Sequence, residues 1–410
     1  MITNKRIMRV FYDFYRATFL LVFSAFLASC QGNESSKAND SSMLAFEIVV
    51  IDSVQVEDVL ASLFLFQYAT EEYLFFRDAG ASKIFVFDRT GKPVTEWAKT
   101  GDVPGVFSMV ADNLSLTPEG NLLITDKVHG LIVFSREGEV LLQNRVYQYQ
   151  TGFHGFINIF RKNQVIEKNG KTYVLHHLDL MDDIQEVGQA FFEKRMNLLM
   201  TDLETRETKQ LIPFPKDSKF LAGLAYPFED FRPRFFFDQS KEKLYLMFQN
   251  EPVLYTYSWK GEIPVFESSQ RLELDGFYEN EGLEYGQVPY GVLNGTQLGF
   301  PFPSSIESLE MVGEVFLIHY KPGPSPSALP DWEKVRNGSA DESLKTSVRQ
   351  QQEWKTVALV DGKVLPVPRP AMWNDSYRVI DEELWWMKPL SKDKEDESFT
   401  VYRGKLQLMD

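Results

Sequence analysis

Six times along this 410-residue chain an apolar run of three to five residues is followed by a polar stretch, a second apolar run and a turn. The pairs are Tyr73–Phe76 with Ile84–Phe87, Leu122–Ile124 with Leu131–Phe134, and Tyr173–Leu175 with Leu198–Met200. They continue as Leu244–Phe248 with Leu254–Tyr257, Val315–Ile318 with Val357–Val360, and Leu384–Met387 with Phe399–Tyr402. The closing turns read DRTG91, SREG138, ETRE207, SWKG261, DG362 and RG404, and five of the six end in Gly, which supplies the positive φ of tight hairpin turns. Runs such as FVF, LLI, LYLMF and LWWM are apolar on consecutive residues, so both faces of the strand must be covered. Propeller blades are packed on both faces by their neighbours, whereas the outer faces of a sandwich are wet. The repeat therefore predicts an all-β chain, a six-bladed β-propeller of four-stranded antiparallel blades. A β-sandwich or two smaller β domains is the alternative. Propellers remove free sheet edges by joining the chain ends in one blade. Ala45–Val50 (AFEIVV) is the strand expected to do so, near Phe399–Tyr402 or Lys405–Met409. The best helical signal, Asp182–Met196, reads as an amphipathic decoration inside the third blade's loop.

Two stretches carry a family resemblance. GDVPGVF (101–107) followed by NLLITDKVHGLIVFSREGEV (121–140) resembles the pattern of NHL-type and related six-bladed propellers. In those, a G-x-x-P-G-x-F turn enters the inner strand and an Asp-rich loop joins the next two. The match covers two blades in detail and the others in outline; ETRE207 and the long insertions depart from it.

The N-terminus reads as an address. Lys5, Arg6, Arg9 and Arg16 lead into a 13-residue apolar run, Ala17 to Ser29. That length suits a secretory leader but not a membrane span, which takes about 20 apolar residues. Leu27-Ala28-Ser29-Cys30 resembles the bacterial lipobox, and Cys30 is the sole cysteine. The expectation is a lipoprotein signal peptide over 1–29, a lipidated Cys30, a flexible tether over 30–42 (QGNESSKANDSS after the cysteine) and a propeller domain over 43–410. Gln31 is not the Asp that retains enterobacterial lipoproteins at the inner membrane, which favours the outer membrane. Lipobox, length and layout together resemble an uncharacterised family of secreted Bacteroidota lipoproteins of unknown function. That resemblance implies a cell-envelope location, on the periplasmic or surface face, and a propeller fold; it supplies no catalytic residues.

Charge narrows the partners. Net charge is −15, and without the leader it becomes −18. A body that acidic is repelled by phosphate backbones and anionic head groups, so nucleic acid is excluded and the membrane is met through the lipid anchor only. With Cys30 acylated no thiol remains for a disulfide or a Cys-based zinc site. No phosphate-binding loop, H-E-x-x-H, G-x-S-x-G or EF-hand loop occurs, and no cofactor is expected.

If each repeat maps onto a blade as in the NHL-type family, the resemblance implies that its pair forms the second and third strands and that the loops between them all leave one end, the expected ligand face: Arg77–Lys83, Thr125–Gly130, His176–Asn197, Gln249–Val253, Tyr320–Gln352 and Lys388–Ser398. Candidate residues cluster there. In HHLDLMDD, His177 and Asp179 fall at i and i+2, on one face of a strand, with His176 beside them; two ligands fall short of the three a zinc site needs. Asp126 and His129 stand in the second blade's loop as a possible base, metal ligand or plain turn former. Arg232 and Arg234 flank Pro233, so both guanidiniums can reach one carboxylate, whether a ligand's or the protein's own. The insertion at 320–352, rich in Pro, Gly and Ser and then charged, holds one large apolar side chain, Trp332. The leading expectation is a monomeric, non-enzymatic binding module for a peptide, glycan or partner protein of the envelope. The rival is a metal-assisted hydrolase or lyase at the channel mouth, for which three or more His, Asp or Glu must converge from different blades. A scaffold role in an outer-membrane complex is the third.

Overall fold

The computed structural model describes residues 45–57, 59, 61, 64–78, 83–98, 105–107, 114–126, 130–144, 162–177, 188–287, 304–324, 342–374, 376–389 and 398–409. The leader, Cys30, the tether, His129, His154, Asp179 and Trp332 lie outside them.

The described strands form six four-stranded antiparallel sheets, the six blades of a propeller. The first strand, β1 (Phe46–Glu57), belongs to the last blade. Blade one is β2 (Phe64–Ala69), β3 (Tyr73–Asp78), β4 (Lys83–Asp88) and β5 (Pro93–Ala98). Blade two is β6 (Ser115–Leu116), β7 (Leu122–Asp126), β8 (Gly130–Phe134) and β9 (Val140–Asn144). In blade three β10 (Gln164–Lys168) and β11 (Lys171–His176) precede helix α1 (Gln189–Lys194), then β12 (Met196–Asp202) and β13 (Thr208–Pro213) follow. Blade four is β14 (Pro233–Asp238), β15 (Lys243–Phe248), β16 (Glu251–Ser258) and β17 (Val265–Arg271). Blade five holds β18 (Ser305–Val312), β19 (Val315–Lys321), helix α2 (Glu342–Gln351), β20 (Lys355–Val360) and β21 (Lys363–Pro366). Blade six is β22 (Arg378–Ile380), β23 (Glu383–Met387) and β24 (Ser398–Leu408), completed on its outer edge by β1. Each of the six predicted hairpins is the second and third strand of its blade.

Consecutive apolar residues in one strand serve two seams, which is why the runs do not alternate with polar residues. Leu244, Leu246 and Phe248 pack towards blade three, while Tyr245 and Met247 pack towards blade five. Six core clusters form, one at each contact between neighbouring blades, and the cluster joining blades six and one closes the ring. β1 pairs with β24 from Phe46 opposite Leu408 to Glu57 opposite Ser398, so the closing strand is longer than AFEIVV. Sequence hid the rest because most side chains between Val50 and Gln55 are exposed.

The turns after the third strands have a task the repeat does not show. Those of blades one, two, three and five seat against the end of the preceding blade's outer strand. A Cβ on Gly91 would meet Gln55, and one on Gly138 would meet Trp97. Arg206 holds the equivalent position at φ 66 and accepts a bond from Asn144 Nδ2 at 2.9 Å through its carbonyl. Gln270 Nε2 donates to Gly362 O at 2.9 Å. Gly404 is not a turn residue: it lies inside β24, where an added Cβ would sit 2.9 Å from both the Trp386 ring and Val49 O. Blade six needs no such turn because its fourth strand comes from the other end of the chain. Within Asp182–Met196 the described helix covers only Gln189–Lys194, and it is no decoration. Phe191 and Phe192 are buried among Phe214, Phe220, Phe231 and Tyr226 at the seam of blades three and four.

Candidate functional site

Strand alternation puts two kinds of connection at the same end of the blades, here called the upper face: second strand to third, and blade to blade. Several of the connections that start and finish at that end are long, 177–195, 214–232, 272–304 and 322–354 among them, whereas the turns at the other end span a few residues. The upper ends of the second strands also concentrate buried polar groups: Arg77 and Asp78 on β3, Thr125 and Asp126 on β7, His176 and His177 at β11, Gln249 after β15 and His319 on β19.

Taken singly, the predicted site residues divide. Asp126 ends β7 opposite Gly130 and is wholly enclosed, so it is not the solvated loop residue that its setting suggests. His176 is also fully buried; its Nε2 shares a 2.9 Å hydrogen bond with Thr201 Oγ1, itself bonded to Thr208 Oγ1. Burial pulls its pKa down to about 3, which keeps the ring neutral and removes it from proton transfer near neutral pH. His177 is buried beside it. His319 behaves alike: Nδ1 shares a 3.0 Å bond with Thr356 Oγ1, the ring stacks on Trp354, and burial followed by the charge of Arg369 lowers it to about 3. Among the described residues no group of three His, Cys, Asp or Glu has metal-binding geometry.

Arg232 and Arg234 each meet a carboxylate of the protein's own, and not the same one. Arg234 Nη2 lies 3.3 Å from Glu307 Oε2 and donates to Gln249 Oε1 at 3.2 Å, while Nε donates to Ile306 O at 3.1 Å. Glu307 accepts further bonds from Gln249 Nε2 at 3.0 Å and Ser305 Oγ at 2.7 Å. Arg232 pairs with Glu229 at 3.6 Å. Burial lowers both arginines from their usual range, and the Glu229 and Glu307 carboxylates oppose that. The knot fastens blade four to blade five, since Arg234 is on β14 and Glu307 on β18.

Sequence reasoning missed several polar residues that the inner strands bring together. Lys162 Nζ, just before β10, sits 2.6 Å from Glu310 Oε2 on β18 and over the Phe236 ring of β14. Ser308 Oγ meets Tyr377 Oη at 3.0 Å and joins blade five to blade six. Next to Tyr377, Arg378 opens β22; burial, then the like charge of Arg77, bring it down to about 10 despite the pull of Glu310. Arg77 and Arg378 line one cavity of about 50 Å³ at the seam of blades six and one, with Phe64, Phe66, Asn374 and Ser376. Nothing local marks these residues, for their partners lie on other blades.

A second buried knot holds the blade-connecting loops. Lys219 Nζ donates to Asn250 O at 2.6 Å, Asn250 Oδ1 at 2.8 Å and Asn280 O at 3.1 Å. Glu251 accepts from Lys219 N at 2.7 Å and Ser218 Oγ at 3.0 Å. Burial raises Asp230 and lowers Lys219, each partly offset by the other's charge. The knot pins 214–232 and 272–287 to the β15–β16 turn.

No family model matches the sequence, and no curated protein matches it. Solved structures do. A member of the DUF4221 family from Bacteroides vulgatus superposes with a TM-score of 0.56 at 12% identity, over 89% of this chain and 99% of that one. A protein from Bacteroides fragilis, described as exported, gives a TM-score of 0.53 at 9% identity over 89% and 96%. At these identities the likeness is one of fold.

Proposed function

We propose that this propeller is a lipid-anchored binding module of the cell envelope whose upper face receives a peptide, a glycan or a partner protein. The carrying observation is the asymmetry of its two ends: long, polar connections and buried polar strand ends on one, tight turns seated against neighbouring blades on the other. Rigid blades with variable connections are the usual arrangement of a recognition surface. The address rests on Leu27-Ala28-Ser29-Cys30 and on the exported character of the B. fragilis protein.

Metal analysis together with glycan and peptide screens on the full-length chain tests the first part. A hit that is lost on removing Gly323–Gln350, while the β-sheet circular dichroism signal stays, supports the upper face. A hit that maps to the turns at 91, 138 and 362 overturns it, and stoichiometric metal would turn the reading towards a hydrolase or lyase. Fatty-acid labelling followed by fractionation tests the second part: Cys30→Ala should release the protein from membranes, and an unlabelled, soluble wild type refutes the anchor.

A further inference from the structure

Antiparallel order fixes which way each strand runs. Second strands rise to the upper face, so first and third strands descend from it and fourth strands rise from the lower end. β1 is the fourth strand of blade six. It starts with Phe46 opposite Leu408, the last residue of β24, and finishes with Glu57 opposite Ser398, the first. Ala45 therefore enters the ring at the lower end, and β1 climbs away from it.

Exposed apolar side chains collect at that same end. Among the described residues the six most exposed large ones are Ile263, Val265, Val94, Leu141, Leu408 and Phe266, from 64% down to 45%. Val94 and Leu141 stand at the lower starts of β5 and β9, and Val265 and Phe266 at the start of β17. Ile263 is in the turn before β17, and Leu408 ends β24. The repeat gives two of them a common cause. Val94 is the extra residue where β5 shifts register against Val86 and Phe87, and Leu141 is the same where β9 shifts against Val133 and Phe134, so neither has a place in the ladder. In blade four the extra residue is Glu267, paired with Lys243 at 2.9 Å, and the exposed apolar residues come just before it. Apolar side chains gathered on one surface and set among polar ones mark a contact surface.

The length of chain before Ala45 says what meets it. On the lipid-anchor reading fourteen residues, 31–44, separate Cys30 from Ala45. Fully extended they reach about 50 Å, at roughly 3.3–3.6 Å each. Passing along the twelve residues of β1, to bring the upper face to the bilayer, would use about 40 Å of that reach. The lower end needs none of it. Glu96, Glu139 and Glu262 are exposed among the apolar side chains, which suits zwitterionic head groups and opposes anionic ones.

We infer that the lower end is the face this propeller lays on the membrane that holds Cys30, with Val94, Leu141, Ile263, Val265, Phe266 and Leu408 meeting the lipid and the binding face turned away from it. The inference rests on the lipid-anchor reading and adds an orientation and a contact to it. With Cys30 acylated, a single introduced cysteine is the one free thiol, so a fluorophore can be placed at will. Lys260→Cys marks the lower end and Lys216→Cys the upper, both at exposed positions. The probe is the full-length lipidated chain on vesicles of phosphatidylcholine and phosphatidylethanolamine that carry a nitroxide quencher at the head group. Fluorescence should be lost at 260 and kept at 216. Ile263→Ser combined with Val265→Ser should restore it at 260 while melting temperature and sedimentation with vesicles stay as in the wild type, because both side chains are exposed. Replacing the zwitterionic lipid with phosphatidylglycerol should restore it too. Loss at 216, equal loss at both positions, or a loss at 260 indifferent to the serine pair overturns the assignment. Failure of the anchor reads differently: no fatty acid on Cys30, and a chain that does not sediment with vesicles at all.

Discussion

Gly91 and Gly261 occupy the same place in their blades and end similar tetrapeptides, yet they should respond oppositely to alanine. Gly91 has φ +85, a conformation that costs an L-residue about 1–2 kcal/mol. An added Cβ would also lie 1.9 Å from Gln55 O and 2.9 Å from its carbonyl carbon, main-chain atoms of β1 that cannot rotate away. Relief requires the turn to part from the closing strand, an overpacking penalty of about 1–3 kcal/mol. The sum is about 2–5 kcal/mol. With about 2.1 cal/mol/K of unfolding entropy per residue, a domain of this length loses about 3–6 °C in melting temperature. Gly261 lacks a positive φ and has nothing within 4 Å of its Cβ position, so Gly261→Ala should be neutral or add a few tenths of a kcal/mol by restricting the unfolded chain. Circular dichroism melts of both variants decide the matter. A Gly91→Ala protein melting within a degree of wild type, or equal losses in the two, would show that the seating of turns against neighbouring blades is not what holds the ring.

Deleting residues 43–52 removes the ladder from Phe46–Leu408 to Asp52–Arg403 and should destabilise the entire domain; an unchanged melting temperature would speak against closure through β1. Asp126→Ala should lower stability by about 1–3 kcal/mol in urea titrations, because the carboxylate is enclosed, and an unaltered midpoint would return it to the solvated class. His176 and His319 have native pKa values near 3 against 6.5 unfolded, so the unfolded chain takes up protons first as pH falls. Their contribution to stability is complete above pH 6.5 and is lost towards pH 3, at about 1.4 kcal/mol per pH unit each. His176→Gln should flatten the decline between pH 6 and 4, and an identical slope would remove His176 from the account.

What the chain disclosed about itself follows from the range over which each feature is encoded. Strands buried on both faces are written locally, and LYLMF yielded the blade before any coordinates did. The FRPR motif marks two arginines placed to meet carboxylates but does not say which: Arg232 meets Glu229 nearby, while Arg234 meets Glu307 because β14 and β18 come together in the folded ring. Gly404 shows the limit most plainly. A glycine that admits Trp386 and the Val49 carbonyl reads the same as one that turns the chain, because its reason lies on a strand from the other end of the sequence. Arg77 and Arg378 went unnoticed for that same cause. His176 stands out only as the neighbour of His177, whose spacing to Asp179 suits a metal, and neither its enclosure nor its threonine partner is legible in the sequence.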